Sequence, residues 1–137
     1  MTCRGETGLM AYSEEKDNEK SFWRSCGYAC EGVSHVFRTQ RNFRIHLAIA
    51  GIVMLAGVGL GLSGLELAVV GVTIAFVTIA EMLNTVVEAV VNLITPDYHP
   101  WAKIAKDVGA GAVLLSAVWS VFVAGIVFGP HLLRLIG

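Results

Sequence analysis

Two apolar runs decide what this chain can become. Leu47–Leu65 passes 19 residues without a formal charge and Val108–Pro130 passes 23, and each is long enough for the roughly 20 residues that carry a helix across a bilayer. Composition agrees: 55% of the 137 residues are hydrophobic and 15% charged, with a mean hydropathy of +0.65, out of line with an ordinary soluble domain of this size. A third run, Leu67–Ala80, stops after 14 residues at Glu81. It reaches spanning length through Val86, Val87, Ala89, Val90 and Val91 only if the polar residues among them face protein. The expected fold is an all-α membrane protein, with transmembrane helices over about 43–62, 65–94 and 102–128.

Ahead of the first span, Phe22, Cys26, Ala29, Val33, Val36 and Phe37 recur three or four apart, with Arg24, Glu31 and Arg38 elsewhere on the wheel. This spacing predicts an amphipathic surface helix over about 21–40, capped by Ser21 and too polar to span. Residues 1–20 hold too little apolar material to pack and read as a flexible tail, leaving 21–137 as one domain. The first 40 residues lack the apolar stretch and cleavage site of a secretory signal, so none is expected. Gly57 and Gly61 form a small-xxx-small pair suited to close helix contact, and Gly64 offers the turn into the next helix. Thr95-Pro96 ends that helix and Gly129-Pro130 ends the last.

Basic residues gather before the first span (Arg24, Arg38, Arg41, Arg44) and between the second and third (Lys103, Lys106), whereas Ser63–Glu66 has none. The bias toward cytoplasmic lysine and arginine puts the N-terminus and the 95–107 loop inside the cell. Cys3, Cys26 and Cys30 then face a reducing compartment and read as free thiols. A net charge of −1 gives no reason to expect a nucleic-acid partner.

Glu81, Asn84, Glu88 and Asn92 recur at helical spacing in the middle span, within about 80° of arc. An ionisable group at membrane depth costs a few kcal/mol or more, so it usually faces a protein interior or an aqueous pocket and works there. A channel or transporter subunit is one alternative, but its polar groups should run through the whole depth of the membrane. Here Leu67–Ala80 offers only Thr73 and Thr78, and the last span offers Ser116 and Ser120. The polarity is one-sided, which favours a site at the cytoplasmic interface.

The segment Glu81-Met82-Leu83-Asn84-Thr85-Val86-Val87-Glu88-Ala89-Val90-Val91-Asn92, followed by Tyr98-His99 and Lys106-Asp107, resembles the prokaryotic diacylglycerol kinase and undecaprenol kinase family. Gly27-Tyr28, Gly32, Arg41-Asn42-Phe43-Arg44-Ile45-His46 and Ile104-Ala105-Lys106-Asp107 carry the resemblance across about residues 21–128. The wording Asn42–His46 and Thr95–Pro100 is closer to the undecaprenol kinase branch. The resemblance implies a homotrimer in the bacterial plasma membrane that uses ATP and Mg2+ to phosphorylate a lipid alcohol, either undecaprenol or diacylglycerol. It implies Glu81 as the base, Asn84 and Lys106 as catalytic partners, and Glu88 with Gln40 at the metal. Around the nucleotide it implies Tyr28, Gln40, Glu88, Asp97, Tyr98, His99, Lys106 and Asp107, and around the lipid Glu81, Asn42, Phe43 and Arg44.

Two positions depart from the pattern. Gln40 stands where the family usually has a second acidic metal ligand, and Asn92 where it usually has an acid. A carboxamide oxygen coordinates Mg2+ without contributing charge, so metal affinity should fall. A catalytically weak relative is the corresponding alternative.

Overall fold

The computed structural model describes residues 6–95 and 97–136, and among them the regular structure is α-helical throughout. The helices are α1 (Glu6–Thr39), α2 (Arg41–Gly59), α3 (Gly64–Ile94) and α4 (Pro100–Ile136). Among the described residues α2, α3 and α4 are long and apolar enough to cross a membrane, so the expected three-span, all-helical class holds.

α1 forms one unit and residues from Gln40 onward another. α1 starts well before Ser21, whose carbonyl accepts a hydrogen bond from Ser25 Oγ at 3.0 Å in mid-helix, so Ser21 is no cap. Where the sequence suggested a flexible tail over 1–20, the backbone is helical from Glu6, and residues 1–5, with Cys3, lie outside the described residues. Met10, Ala11, Glu14, Glu15, Lys16, Glu19 and Lys20 are good helix formers, a local preference that the apolar pattern did not register. On α1 the Phe22 and Trp23 rings meet edge to face at 5.7 Å, and Cys26 and Cys30 are free thiols.

Gln40, extended at φ −99° and ψ 113°, precedes α2. At the other end of α2, Leu62 N–H donates to the Gly57 carbonyl at 3.0 Å and Gly61 N–H to the Val58 carbonyl at 3.1 Å, with Gly61 at φ 72°. This is a Schellman ending, in which a residue without Cβ takes the left-handed position. The Gly57/Gly61 pair is therefore split in role: Gly61 makes the turn that was expected of Gly64, while Gly57 is buried in helix contact. A Cβ at Gly57 would lie 3.0 Å from Leu67 Cδ2 and 3.6 Å from Phe128 Cζ.

Ser63 then caps α3. Glu66 N–H donates to Ser63 Oγ at 3.3 Å and Ser63 N–H returns a 2.7 Å bond to Glu66 Oε2, a complete capping box. Glu66 is thus more than a solvated charge at a helix start. Its carboxylate also lies 3.8 Å from His131 Nε2 on α4.

α4 runs through Gly129-Pro130 to Ile136 rather than stopping there. Proline removes one backbone bond from a helix interior, yet the segment beyond it is tied down. His131 Nδ1 lies 3.2 Å from the Val127 carbonyl while Nε2 faces Glu66. α3 packs antiparallel along most of α4 and, over a shorter length, on α2. Val70, Val77, Ala50 and Val113 fill the seams, and large side chains such as Leu55, Leu93, Leu115 and Phe122 point outward, as suits a lipid solvent.

Gly57→Val should lower stability by about 1–3 kcal/mol through overpacking, whereas Gly59→Val, with nothing within 4 Å of its Cβ position, should be close to neutral. Thermal unfolding of both variants in detergent checks this.

Candidate functional site

The polar residues of α3 form a graded line. Glu81 is 2% exposed, Asn84 and Glu88 are half-buried, and Asn92 is exposed. Seven residues separate the two glutamates, about 10 Å along the axis. His46 of α2 is half-buried and lines a cavity with Val77 and Thr78 of α3, about one turn from Glu81 along that helix. Asn84 Nδ2 donates to Glu88 Oε1 at 3.2 Å, which fixes one carboxylate oxygen and leaves the other free to bind.

Asn84 Oδ1 is buried without a hydrogen-bond partner. It lies against Gly109 of α4, where a Cβ would sit 2.5 Å away. Only a glycine lets the amide occupy that position. An unsatisfied buried carbonyl costs about 1–3 kcal/mol, and here it lies against the Gly109 backbone on α4.

Beyond the stripe, at the ends of α3 and α4, an open hollow of about 380 Å³ brings together Asn92, Asp97, Tyr98, His99, Lys103, Lys106 and Asp107. Lys106 Nζ donates to Asn92 Oδ1 at 2.7 Å, across the two helices. Lys103 pairs with Asp107 along α4. His99 caps α4: its Nδ1 accepts from Trp101 N–H at 3.3 Å, its carbonyl accepts from Lys103 N–H at 3.0 Å, and Pro100 takes the first helical position, where no N–H is needed. Thr95 Oγ1 donates to the Asp97 carbonyl at 3.2 Å and braces the short loop.

Within the unit from Gln40 onward, the lining of this hollow does not include Gln40, Asn42, Phe43 or Arg44. Tyr28 lies on α1 beside Trp23, Arg24, Gly27 and Glu31 in a shallow surface hollow. Gln40 is half-buried at the start of α2 and makes no capping bond through its side chain. Asn42 and Arg44 are exposed, and Phe43 is buried at 3% exposure. Among the described residues no group of three or more His, Cys, Asp or Glu could hold a metal ion. One carboxylate with an amide oxygen suits a hard cation that arrives on a nucleotide's phosphates better than it suits a resident ion in a protein cage.

Gly109 and His46 were not among the expected site residues, whereas Asn92 was, as the last member of the polar stripe. Gly109 had only the general signal of a glycine in a span, and His46 needed the register of α2 on α3. Deeper in the membrane a cavity of about 130 Å³ is lined by residues that include Ala50, Val70, Thr73, Thr78 and Ser120. The three hydroxyls donate to carbonyls of their own helices. His46 also lines this cavity, so some polarity continues into the bundle at the α2–α3 seam.

Three apolar spans define an integral membrane protein, with acids, amides and lysines gathered where the end of α3 meets the start of α4. The sequence model for prokaryotic diacylglycerol kinase matches residues 27–128, and the chain belongs to that family of membrane lipid kinases. It is 49% identical over 109 residues to a diacylglycerol kinase of Synechocystis, covering 79% of this chain but only 62% of that protein. With an undecaprenol kinase of Bacillus subtilis it shares 39% identity over 121 residues, which is 88% of this chain and 98% of the relative. A diacylglycerol kinase of Escherichia coli is 26% identical over 108 residues, 79% of this chain and 88% of that one.

Gly109→Ala should force the Asn84 amide aside and slow phosphoryl transfer about 100-fold, the scale of a 1 Å misplacement at a reacting centre. Gly111→Ala, whose Cβ position is open, should stay near wild type. Initial rates with ATP and a lipid alcohol in mixed micelles compare the two.

Proposed function

We propose that this chain transfers the terminal phosphoryl group of ATP to the hydroxyl of undecaprenol, at the cytoplasmic face of the bacterial plasma membrane and as a homotrimer. The graded line on α3 is the observation that carries this reading: a buried carboxylate, a half-buried carboxylate held by an amide, and a lysine at the exposed end. A lipid alcohol meets the buried end and a soluble nucleotide the exposed one.

Phosphoryl transfer depends mostly on positioning and on cancelling charge. In the proposed reaction Glu81 accepts the proton of the lipid hydroxyl as its oxygen bonds to phosphorus, and ADP leaves with the other oxygen. Asn84 orients Glu88 through its amide N–H, while its carbonyl lies against Gly109. Glu88, with Gln40, would hold the Mg2+ that accompanies ATP, and the bound ion would supply positive charge beside the phosphates. Lys106 adds positive charge from the other side, with Asp107, Asp97, Tyr98 and His99 at the rim. In this reading Tyr28 is assigned to the nucleotide, and Asn42, Phe43 and Arg44 to the lipid.

The full-length match to an undecaprenol kinase and the Asn42–His46 wording support undecaprenol. The higher identity to a diacylglycerol kinase supports the second reading, phosphatidic acid synthesis. Offering each lipid with labelled ATP to protein in a reconstituted bilayer separates them: undecaprenol should be phosphorylated at least tenfold faster, and the reverse order would establish diacylglycerol.

Glu81→Ala and Glu88→Ala should each lower phosphorylation at least 100-fold, since a positioned acid–base group contributes about 10²–10⁴. Wild-type rates in either variant would sink the mechanism. Replacing Gln40 by Glu restores a charge at the metal and should shift the magnesium requirement to lower concentration. Superimposable magnesium titrations would remove Gln40 from the site.

A further inference from the structure

Lys103 and Lys106 stand one turn apart on α4 at the edge of the same hollow, yet they have different partners. Lys103 is paired with the full negative charge of Asp107. Lys106 donates at 2.7 Å to the neutral amide oxygen of Asn92, on the facing helix. We propose that Asn92 is a positioning residue that aims Lys106 at the phosphates of the nucleotide while leaving its charge uncompensated. This rests on the reading of the loop-end hollow as the nucleotide site.

An ammonium carries three N–H donors and sits on a flexible four-carbon stem. Asn92 takes one donor, which fixes the direction of the stem from α3 and leaves two for phosphate oxygens. A carboxylate at position 92 would accept the same bond but place a negative charge at contact distance. It would then compete with the phosphates for the ammonium and repel them. Asp107 is engaged by Lys103, so it does not fill that part. The other titratable groups at the hollow are Asp97, Tyr98 and His99 in the loop, and none of them is hydrogen-bonded to Lys106.

The test uses the full-length protein in nanodiscs, with ATP binding titrated directly with and without Mg2+, and steady-state rates measured alongside. Asn92→Asp should raise Kd and KM for ATP about three- to fivefold at low ionic strength, the scale of one partly exposed ion pair, with kcat within about twofold. The effect should shrink in about 0.5 M salt, where the screening length is roughly 4 Å. Asn92→Ala removes the tether without adding charge, so its loss should be smaller and insensitive to salt. Aspartate binding ATP like wild type, or matching alanine at every salt concentration, overturns the proposal. Lys106→Met separates the two levels. If it binds ATP normally, the nucleotide-site reading and the tether fall together, whereas a loss there beside an unaffected Asn92→Asp removes the tether alone.

Discussion

Hydrocarbon offers no hydrogen bonds, so every polar side chain on a spanning helix must find its partner in the protein or reach past the lipid. α3 meets that constraint in both ways. It has 31 residues, about 46 Å of helix against a hydrocarbon core of about 30 Å, so its last turns carry Glu88 and Asn92 beyond the apolar slab. Asn84 leans on Glu88 through its N–H and Asn92 meets Lys106, while Asn84 Oδ1 lies unpaired against Gly109. The antiparallel packing of α3 on α4 makes those meetings coincide. The same seam is closed at its opposite end by Glu66 and His131.

Much of this was legible in the residues. Uncharged length gave the spans, and helical spacing gave the stripe, because both depend on periods that a sequence displays directly. Contacts between helices were not legible. Nothing in the spacing says that Gly109 faces Asn84 or that Asn92 meets Lys106, since these depend on the axial register of two helices joined by a short loop. Local signals also misled where tertiary contacts outweighed them. Pro130 read as a stop, but His131 and Glu66 hold the chain in helix past it. Gly61 read as a packing residue because of its distance from Gly57, whereas backbone hydrogen bonding at the end of α2 assigns it to the turn.

The cap on α4 limits what the loop between α3 and α4 can do. His99 spends its ring nitrogen on Trp101 and its carbonyl on Lys103, and Thr95 holds Asp97 from the other side. A loop so engaged is better suited to being a fixed rim than a closing flap. The hollow is accordingly open, and its charges stand in place on helix ends rather than being gathered by a moving segment.

The shortness of α2 has a consequence of its own. At 19 residues it is about 28 Å long, and with Gly57 set against Leu67 its first turn comes level with Leu83, just past Glu81. Above that level α3 and α4 stand without it. The outer turns of α3, with Glu88 and Asn92, are therefore bordered within this unit by α4 and not by α2, so that stretch is walled on one side only.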